Sequence, residues 1–259
     1  MPDDSMPHRR PALLDADGQL PGPDNHRLLL RLLGGFRLEQ AGRVLPIPHS
    51  ARRIVAFLGI RGRCDRTEIA GTLWPDMPEA KALASLRTAL WRLRRLTGLR
   101  VVDGQDALAT AGTVDVDVQA FVASVRQILT TDDGRIERSP MPVLPAIGEL
   151  LPGWYEDWVL FERERMRQLQ MHALETVAER LTSARRYAEA IDAALAAVWL
   201  EPLRESATRA LIVAHLGENN LVEAVRCFES FRDNLVTELG VQPSPELERL
   251  VQSCLTRLA

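Results

Sequence analysis

Three observations predict a mainly α chain with a small α+β part at its N-terminal end. Residues 28–58 begin with short strand-like runs broken by Gly34-Gly35 and Ala41-Gly42, and three helical segments and a hairpin signal follow. Sheet, three helices and hairpin in that order specify a winged helix-turn-helix. Beyond residue 112, a helix over "VQAFVASVRQILT" leads into a Pro- and Gly-rich excursion, "TTDDGRIERSPMPVLPAIGELLPG". From Trp154 onward almost everything is helical, and "YAEAI" at 187–191 returns as "LVEAV" at 221–225, an offset of 34 residues. That period belongs to tetratricopeptide-like helix hairpins, which stack because one alone cannot bury its apolar face. The expected division is a flexible tail over 1–27, a winged helix-turn-helix domain over 28–112 and an all-α repeat domain over 113–259.

The tail carries five prolines and no apolar periodicity. It lacks the apolar stretch of a secretion signal, and no later run approaches the ~20 residues of a membrane span. A cytoplasmic protein with no membrane partner is expected.

In the first domain, "LLLRLLGGF" and "RLEQAGRVLPIP" read as a small antiparallel sheet with Ala41-Gly42 in a turn, ended by Pro46 and Pro48. "HSARRIVAFLGIRG" reads as a helix capped by Ser50, with Ile54, Val55, Phe57 and Leu58 facing inward and a stop near Gly62. "DRTEIAGTLWP" is a second helix with Asp65 or Thr67 as cap, and Pro75 and Pro78 enforce a loop after it. The third helix runs from Glu79 to Leu96. At 100° per residue, Leu83, Leu86, Leu90 and Leu93 form a core stripe beside Ala82 and Ala89. Lys81, Thr88, Trp91, Arg92 and Arg95 take the opposite side, and Ser85, Arg87 and Arg94 its flanks. "LRVVDGQDALAT" then reads as a hairpin turning at Asp103-Gly104, between Val101-Val102 and Ala107-Leu108.

Charge separates the two domains. The net charge of −3 averages over 14 Lys+Arg against 7 Asp+Glu in residues 28–112 and 15 against 23 in residues 113–259. A basic domain followed by an acidic one points to nucleic acid at one end and a different partner at the other. A helix in the major groove can present Arg to guanine O6/N7 and Thr to a thymine methyl while flanking Arg grips phosphates. On that chemistry Thr88 and Arg92 are the candidate base contacts, and Arg87, Arg94, Arg95, Lys81 and Arg100 the candidate backbone contacts. An isolated Arg-rich helix face is more often simply solvated. The basic balance of the domain and the hairpin downstream favour DNA. Trp91 either stacks on a sugar or packs under the wing, and packing is the favoured reading.

Here the sequence resembles a known family. "LLGGFRLEQAGRVLPIP", "EIAGTLWPDMPEAKALASLRTALWRLRRL" and the hairpin are similar to the winged helix of the Streptomyces antibiotic regulatory protein family, itself related in fold to response-regulator effector domains. "GELLPGWYEDWVLFERERMRQLQMHALE", Pro202 after "WLE" and "ELGVQPSPELERL" resemble the bacterial transcriptional activation domain that follows it in that family. Together they cover nearly everything after residue 27. The resemblance implies a transcriptional activator whose third helix reads the major groove of double-stranded promoter DNA. Copies would bind head to tail on direct repeats near a −35 element and recruit RNA polymerase holoenzyme, including its sigma factor. The setting it implies is regulation of antibiotic biosynthesis, a secondary-metabolite gene cluster, in the bacterial nucleoid. With the chain ending at Ala259, a small stand-alone member is expected.

Thr88, Arg92, Arg94 and Arg95 match positions of the family's recognition-helix pattern, whereas Trp91 stands where a smaller, more polar residue is expected. The wing departs too: Asp103 and Asp106 flank its turn, with only Arg100 basic nearby. The resemblance also assigns a polymerase contact to the loop "WPDMPEAKA", which makes Asp76 and Glu79 candidates. Glu79 reads equally well as a carboxylate placed at the positive end of a helix dipole.

Other classes find little support. Cys64, Cys227 and Cys254 are odd in number and widely spaced and read as small core residues, and the five histidines show no ligand spacing, so no metal and no cofactor is expected. No phosphate-binding loop, dinucleotide fingerprint or nucleophile elbow is present, which argues against an enzyme. The competing reading is a helical-repeat scaffold whose winged helix has lost specific DNA binding, with Trp91 and the acidic wing as its support. Trp154, Tyr155, Trp158 and Trp199 are read as core rather than as anchors of a binding groove.

Overall fold

The computed structural model describes residues 27–130 and 148–256, with side chains through Ser253. The tail before Arg27, most of the Pro- and Gly-rich segment after Thr130 and the Cys254 side chain lie outside the described residues. The chain is mainly α with a small sheet part, and it divides into two compact units. One runs to Leu32 and resumes over Phe36–Asp117, and the other takes Leu33–Gly35 and everything from Val118.

In the first unit, β1 (Leu28–Arg31) pairs antiparallel with β2 (Arg37–Gln40), and β2 with β3 (Arg43–Val44). Gln40 lies opposite Arg43, so Ala41 and Gly42 form a two-residue turn, both at positive φ, as a mirror-type turn requires. On the far side of β1 lies β7 (Val114–Val116), running parallel, which gives the order β3-β2-β1-β7. The sequence reading drew its boundary after residue 112. The β7 pairing places residues 113–117 with the first unit instead, because Val114 and Val116 are buried there. Asp117 reinforces this join, its carboxylate accepting the Leu32 N–H at 2.9 and 3.0 Å.

Three helices complete the unit: α1 (His49–Arg61), α2 (Arg66–Leu73) and α3 (Glu79–Thr97). The four inward residues expected of α1 are buried, and so are Ala51, Ala56, Gly59 and Ile60, because α1 is enclosed on several sides. Ser50 does not cap α1. The helix starts two residues earlier than a Ser50 cap would place it, after Pro48, whose carbonyl accepts the Ala51 and Arg52 amides. Asp65 does occupy the cap position of α2, but without a side-chain hydrogen bond.

The wing is a three-stranded sheet in the order β4-β6-β5, built from β4 (Cys64–Asp65), β5 (Val102–Asp103) and β6 (Ala107–Thr110). β4 was not expected. The hairpin register also differs from the sequence reading. Asp103 pairs with Ala109, so Asp103-Gly104 opens a longer loop rather than forming a two-residue turn, and Ala107 and Leu108 pair with β4. Gly104 is required where it stands: its φ is 112°, and a Cβ there would overlap the Ala107 carbonyl.

The second unit contains α4 (Asp117–Thr130), α5 (Asp157–Ser183), α6 (Tyr187–Leu200), α7 (Glu205–Gly217), α8 (Leu221–Leu239) and α9 (Pro245–Thr256). The 34-residue repeat extends to individual hydrogen bonds. At the end of α5, Arg186 N–H donates to Leu181 O and Arg185 N–H to Thr182 O; at the end of α7, Asn220 N–H donates to His215 O and Asn219 N–H to Leu216 O. Both are Schellman motifs, and their left-handed residues, Arg185 and Asn219, are again 34 apart. Ala190 and Ala224, at equivalent positions of α6 and α8, are buried. A bidentate pair ties α5 to the approach to α7: the Arg204 guanidinium donates to the Glu175 carboxylate at 2.8 and 3.2 Å.

Candidate nucleic-acid interface

The burial of α3 follows its apolar spacing. Ala82, Leu86, Ala89 and Leu93 are buried, Leu83 and Leu90 half-buried, and Lys81, Arg87, Thr88, Trp91, Arg92, Arg94 and Arg95 exposed. Gly98, in the left-handed region, ends the helix by donating its N–H to Arg94 O. One face therefore packs on the unit and the other presents five cationic side chains.

Elsewhere, the arginines that serve structure have partners. Arg53 donates to Leu73 O and lies over the Trp74 ring, Arg52 donates to Ile47 O, and Arg163, Arg167, Arg186 and Arg204 are paired with carboxylates. On the exposed face of α3 the pattern changes. Among the described residues, Lys81, Arg87, Arg92 and Arg94 make no ion pair, and Arg95 stacks on Trp91 with its guanidinium carbon 5.0 Å from the ring centroid. Cations left in water cost no desolvation until a polyanion arrives.

Thr88 shares this face. Its hydroxyl donates to Ala84 O at 2.9 Å, so the proton is spent on the helix backbone. An oxygen lone pair and the methyl remain to meet a ligand. Trp91 is 58% exposed, which corrects the expectation that it packs beneath the wing.

Between α3 and the wing lies a half-open hollow of about 320 Å³, lined by Leu90, Trp91, Arg94, Arg100 and Val102 among others. The Arg100 guanidinium there is paired with the Asp103 carboxylate. The Gly104 N–H first, and then Arg100, hold the Asp103 carboxyl below its ordinary range. Arg66 also lines the hollow, donating to the Gln105 carbonyl. Sequence reasoning missed Arg66 because it lies on α2, and only the β4-β6 pairing carries it to the wing. Asp76 and Glu79 are both exposed, with Glu79 in the first turn of α3.

In the second unit Trp158 is buried and stacks edge-on with half-buried Trp154 at 6.5 Å. Tyr155 and Trp199 do not follow the core reading, at 78% and 85% exposed. Among the described residues no group of three or more His, Cys, Asp and Glu could hold a metal ion, and no helix is long and apolar enough to cross a membrane.

Known proteins share this architecture. The family model described as the bacterial transcriptional activator domain matches residues 141–255. Regulatory protein DnrI of Streptomyces peucetius is 24% identical over 250 residues, which cover 87% of this chain and 91% of that protein. Regulatory protein AfsR of Streptomyces griseus is 30% identical over 241 residues, 88% of this chain. The chain thus resembles these Streptomyces regulatory proteins. It spans about a quarter of the length of its AfsR relatives, covering 24% of the S. griseus protein and 24% of the Streptomyces coelicolor one. Among solved structures, Mycobacterium tuberculosis EmbR in complex with a low affinity phosphopeptide matches with a TM-score of 0.64 at 21% identity, over 89% of this chain and 65% of that one. That likeness speaks for the fold alone: a winged helix followed by helical repeats.

Proposed function

We propose that this chain is a member of the Streptomyces antibiotic regulatory protein family and a sequence-specific, DNA-binding transcriptional activator. It binds direct repeats near a promoter −35 element, head to tail with further copies of itself, and recruits RNA polymerase holoenzyme to a secondary-metabolite gene cluster. The observation that carries the reading is the exposed face of α3, where Lys81, Arg87, Arg92 and Arg94 stand without ion pairs among the described residues. Thr88 and Arg92 contact bases, and Arg87, Arg94, Arg95, Lys81 and Arg100 hold the phosphate backbone. Asp76 and Glu79 meet polymerase, and Glu79 also complements the dipole of α3. The protein works in the bacterial cytoplasm, at the nucleoid. The regulatory names of its relatives agree with this reading.

The test is selection of genomic DNA fragments by the purified chain at near-physiological salt, with Arg92→Ala in parallel. Wild type should enrich direct repeats beside promoters, and the variant should lose them. The Arg100–Asp103 pair keeps a second reading in view, a protein-binding scaffold whose winged helix no longer grips DNA. Affinity for duplex DNA that does not fall with added salt would favour the scaffold, because phosphate neutralisation makes true binding steeply salt-dependent.

A further inference from the structure

The exposed face of α3 carries a large aromatic side chain, Trp91, to which the DNA-binding reading assigns no role. At 100° per residue, Ala89 and Leu93 lie about 160° to either side of Trp91, and Ala82 lies about 180° away. These three are buried, so Trp91 stands opposite the centre of the packed stripe. By the same geometry, Arg95 and Thr88 fall about 40° and 60° to one side of it and Arg87 and Arg94 about 40° and 60° to the other. The middle of the face is thus an indole, with polar and cationic groups along both flanks.

Packing does not account for it. Trp91 borders the hollow beside the wing, yet it remains more than half exposed. One ring face carries the Arg95 guanidinium, a cation over the negative face of the π system. That stack restrains the indole, more than half of which stays exposed.

We propose that Trp91 reads a thymine, its indole meeting the C5-methyl group of one T·A pair on the floor of the major groove. This deepens the DNA-binding reading and rests on α3 being the groove element. A residue at the centre of the entering face can reach the base edges on the groove floor. Among major-groove base edges the thymine methyl is the one apolar group. An indole offers apolar surface and a single N–H donor, so it cannot make the bidentate contacts that Arg or Asn make to purines. The feature that departs from the pattern expected of the resemblance thus becomes a specificity determinant of this chain.

The experiment uses the purified full chain and a pool of random duplexes. The preferred sequence is resynthesised with each thymine in turn replaced by deoxyuridine, which removes only the methyl group. Wild type should lose about three- to fivefold in affinity at one thymine per repeat, the scale of one buried methyl group. Trp91→Ala should bind the thymine and deoxyuridine duplexes equally, and Trp91→Phe, which keeps an apolar ring, should retain part of the difference. Placing 5-methylcytosine, paired with guanine, at that position should restore more affinity to wild type than unmethylated cytosine does. The proposal is overturned if no thymine is sensitive in wild type, or if Trp91→Ala keeps the full deoxyuridine penalty, while a preferred sequence still emerges. A pool that yields no preferred sequence overturns the DNA-binding reading itself, and this proposal with it.

Discussion

Glu205, the first residue of α7, holds Ser244, the residue just before α9: the Ser244 N–H donates to one carboxylate oxygen at 2.9 Å and its hydroxyl donates to the other. Burial alone would push the Glu205 carboxyl up, but the two Ser244 bonds, helped by Arg209, outweigh it and hold the carboxyl below its ordinary range. A carboxylate depressed in the folded state contributes stability above its unfolded pKa, about 4.3, and loses it as pH falls through the folded value. Glu205→Gln should therefore unfold at lower urea than wild type at pH 7, with the gap narrowing below about pH 4. Urea midpoints at pH 7 and pH 3 measure this, and an unchanged gap would refute the assignment.

Gly217 closes α7 against the first residue of α6. A Cβ at Gly217 would overlap the Tyr187 ring, with Cδ1 at 2.9 Å and Cε1 nearer still. Helix propensity alone predicts that Gly217→Ala stabilises by about 1 kcal/mol. Overpacking against an aromatic ring costs roughly 1–3 kcal/mol, so the expected result is net destabilisation. In a Tyr187→Ala background the same change should be neutral or favourable, and a thermal double-mutant cycle reads the difference.

Arg185 and Asn219 hold equivalent left-handed positions, with φ of 59° and 64°. For L-residues this region costs roughly 1–2 kcal/mol, less for Asn, whose short polar side chain tolerates it. Arg185→Gly should raise stability by about 1 kcal/mol, and Asn219→Gly by less. Equal shifts at the two sites, measured by urea unfolding, would remove the strain argument.

These positions show what the sequence carried and what it did not. The 34-residue offset was legible in "YAEAI" and "LVEAV" because Ala190 and Ala224 must be small where helices approach closely. The αL turns were not, since Arg185 is no glycine. The helices of the first unit could be read from apolar spacing, and α3 matched its expected stripe. β4 and β7, of two and three residues, could not, because their information lies in partners such as Leu28 opposite Val114. Trp199 misled by its residue type: the buried stripe of α6 is Ala190, Ala194 and Ala197, and Trp199 falls off it. Trp91 lay opposite its own stripe in the sequence already, and only its assumed fit under the wing concealed the fact.

Base and phosphate contacts should separate under mutation. Arg92→Ala should lower discrimination between the preferred site and an altered one by about 1–3 kcal/mol. Arg94→Ala should weaken binding to every duplex and reduce the salt slope by about one unit. Competition binding over a salt series distinguishes these outcomes. A loss confined to one sequence class in Arg94→Ala would make Arg94 a base contact.

Arg100 is the cation of the proposed set whose charge is already answered. A phosphate approaching the wing must compete with the Asp103 carboxylate for the guanidinium, and it meets the negative charge of Asp103 itself. The pair is largely exposed, so solvent and salt screen it and breaking it costs little. What remains is local repulsion between carboxylate and DNA. Asp103→Asn removes that repulsion and frees Arg100, so binding should tighten for all duplexes and the salt slope should steepen by up to about one unit. Arg100→Ala in the wild-type background should then cost less affinity than Arg100→Ala combined with Asp103→Asn, each relative to its own parent. If the two losses are equal, Asp103 does not restrain Arg100.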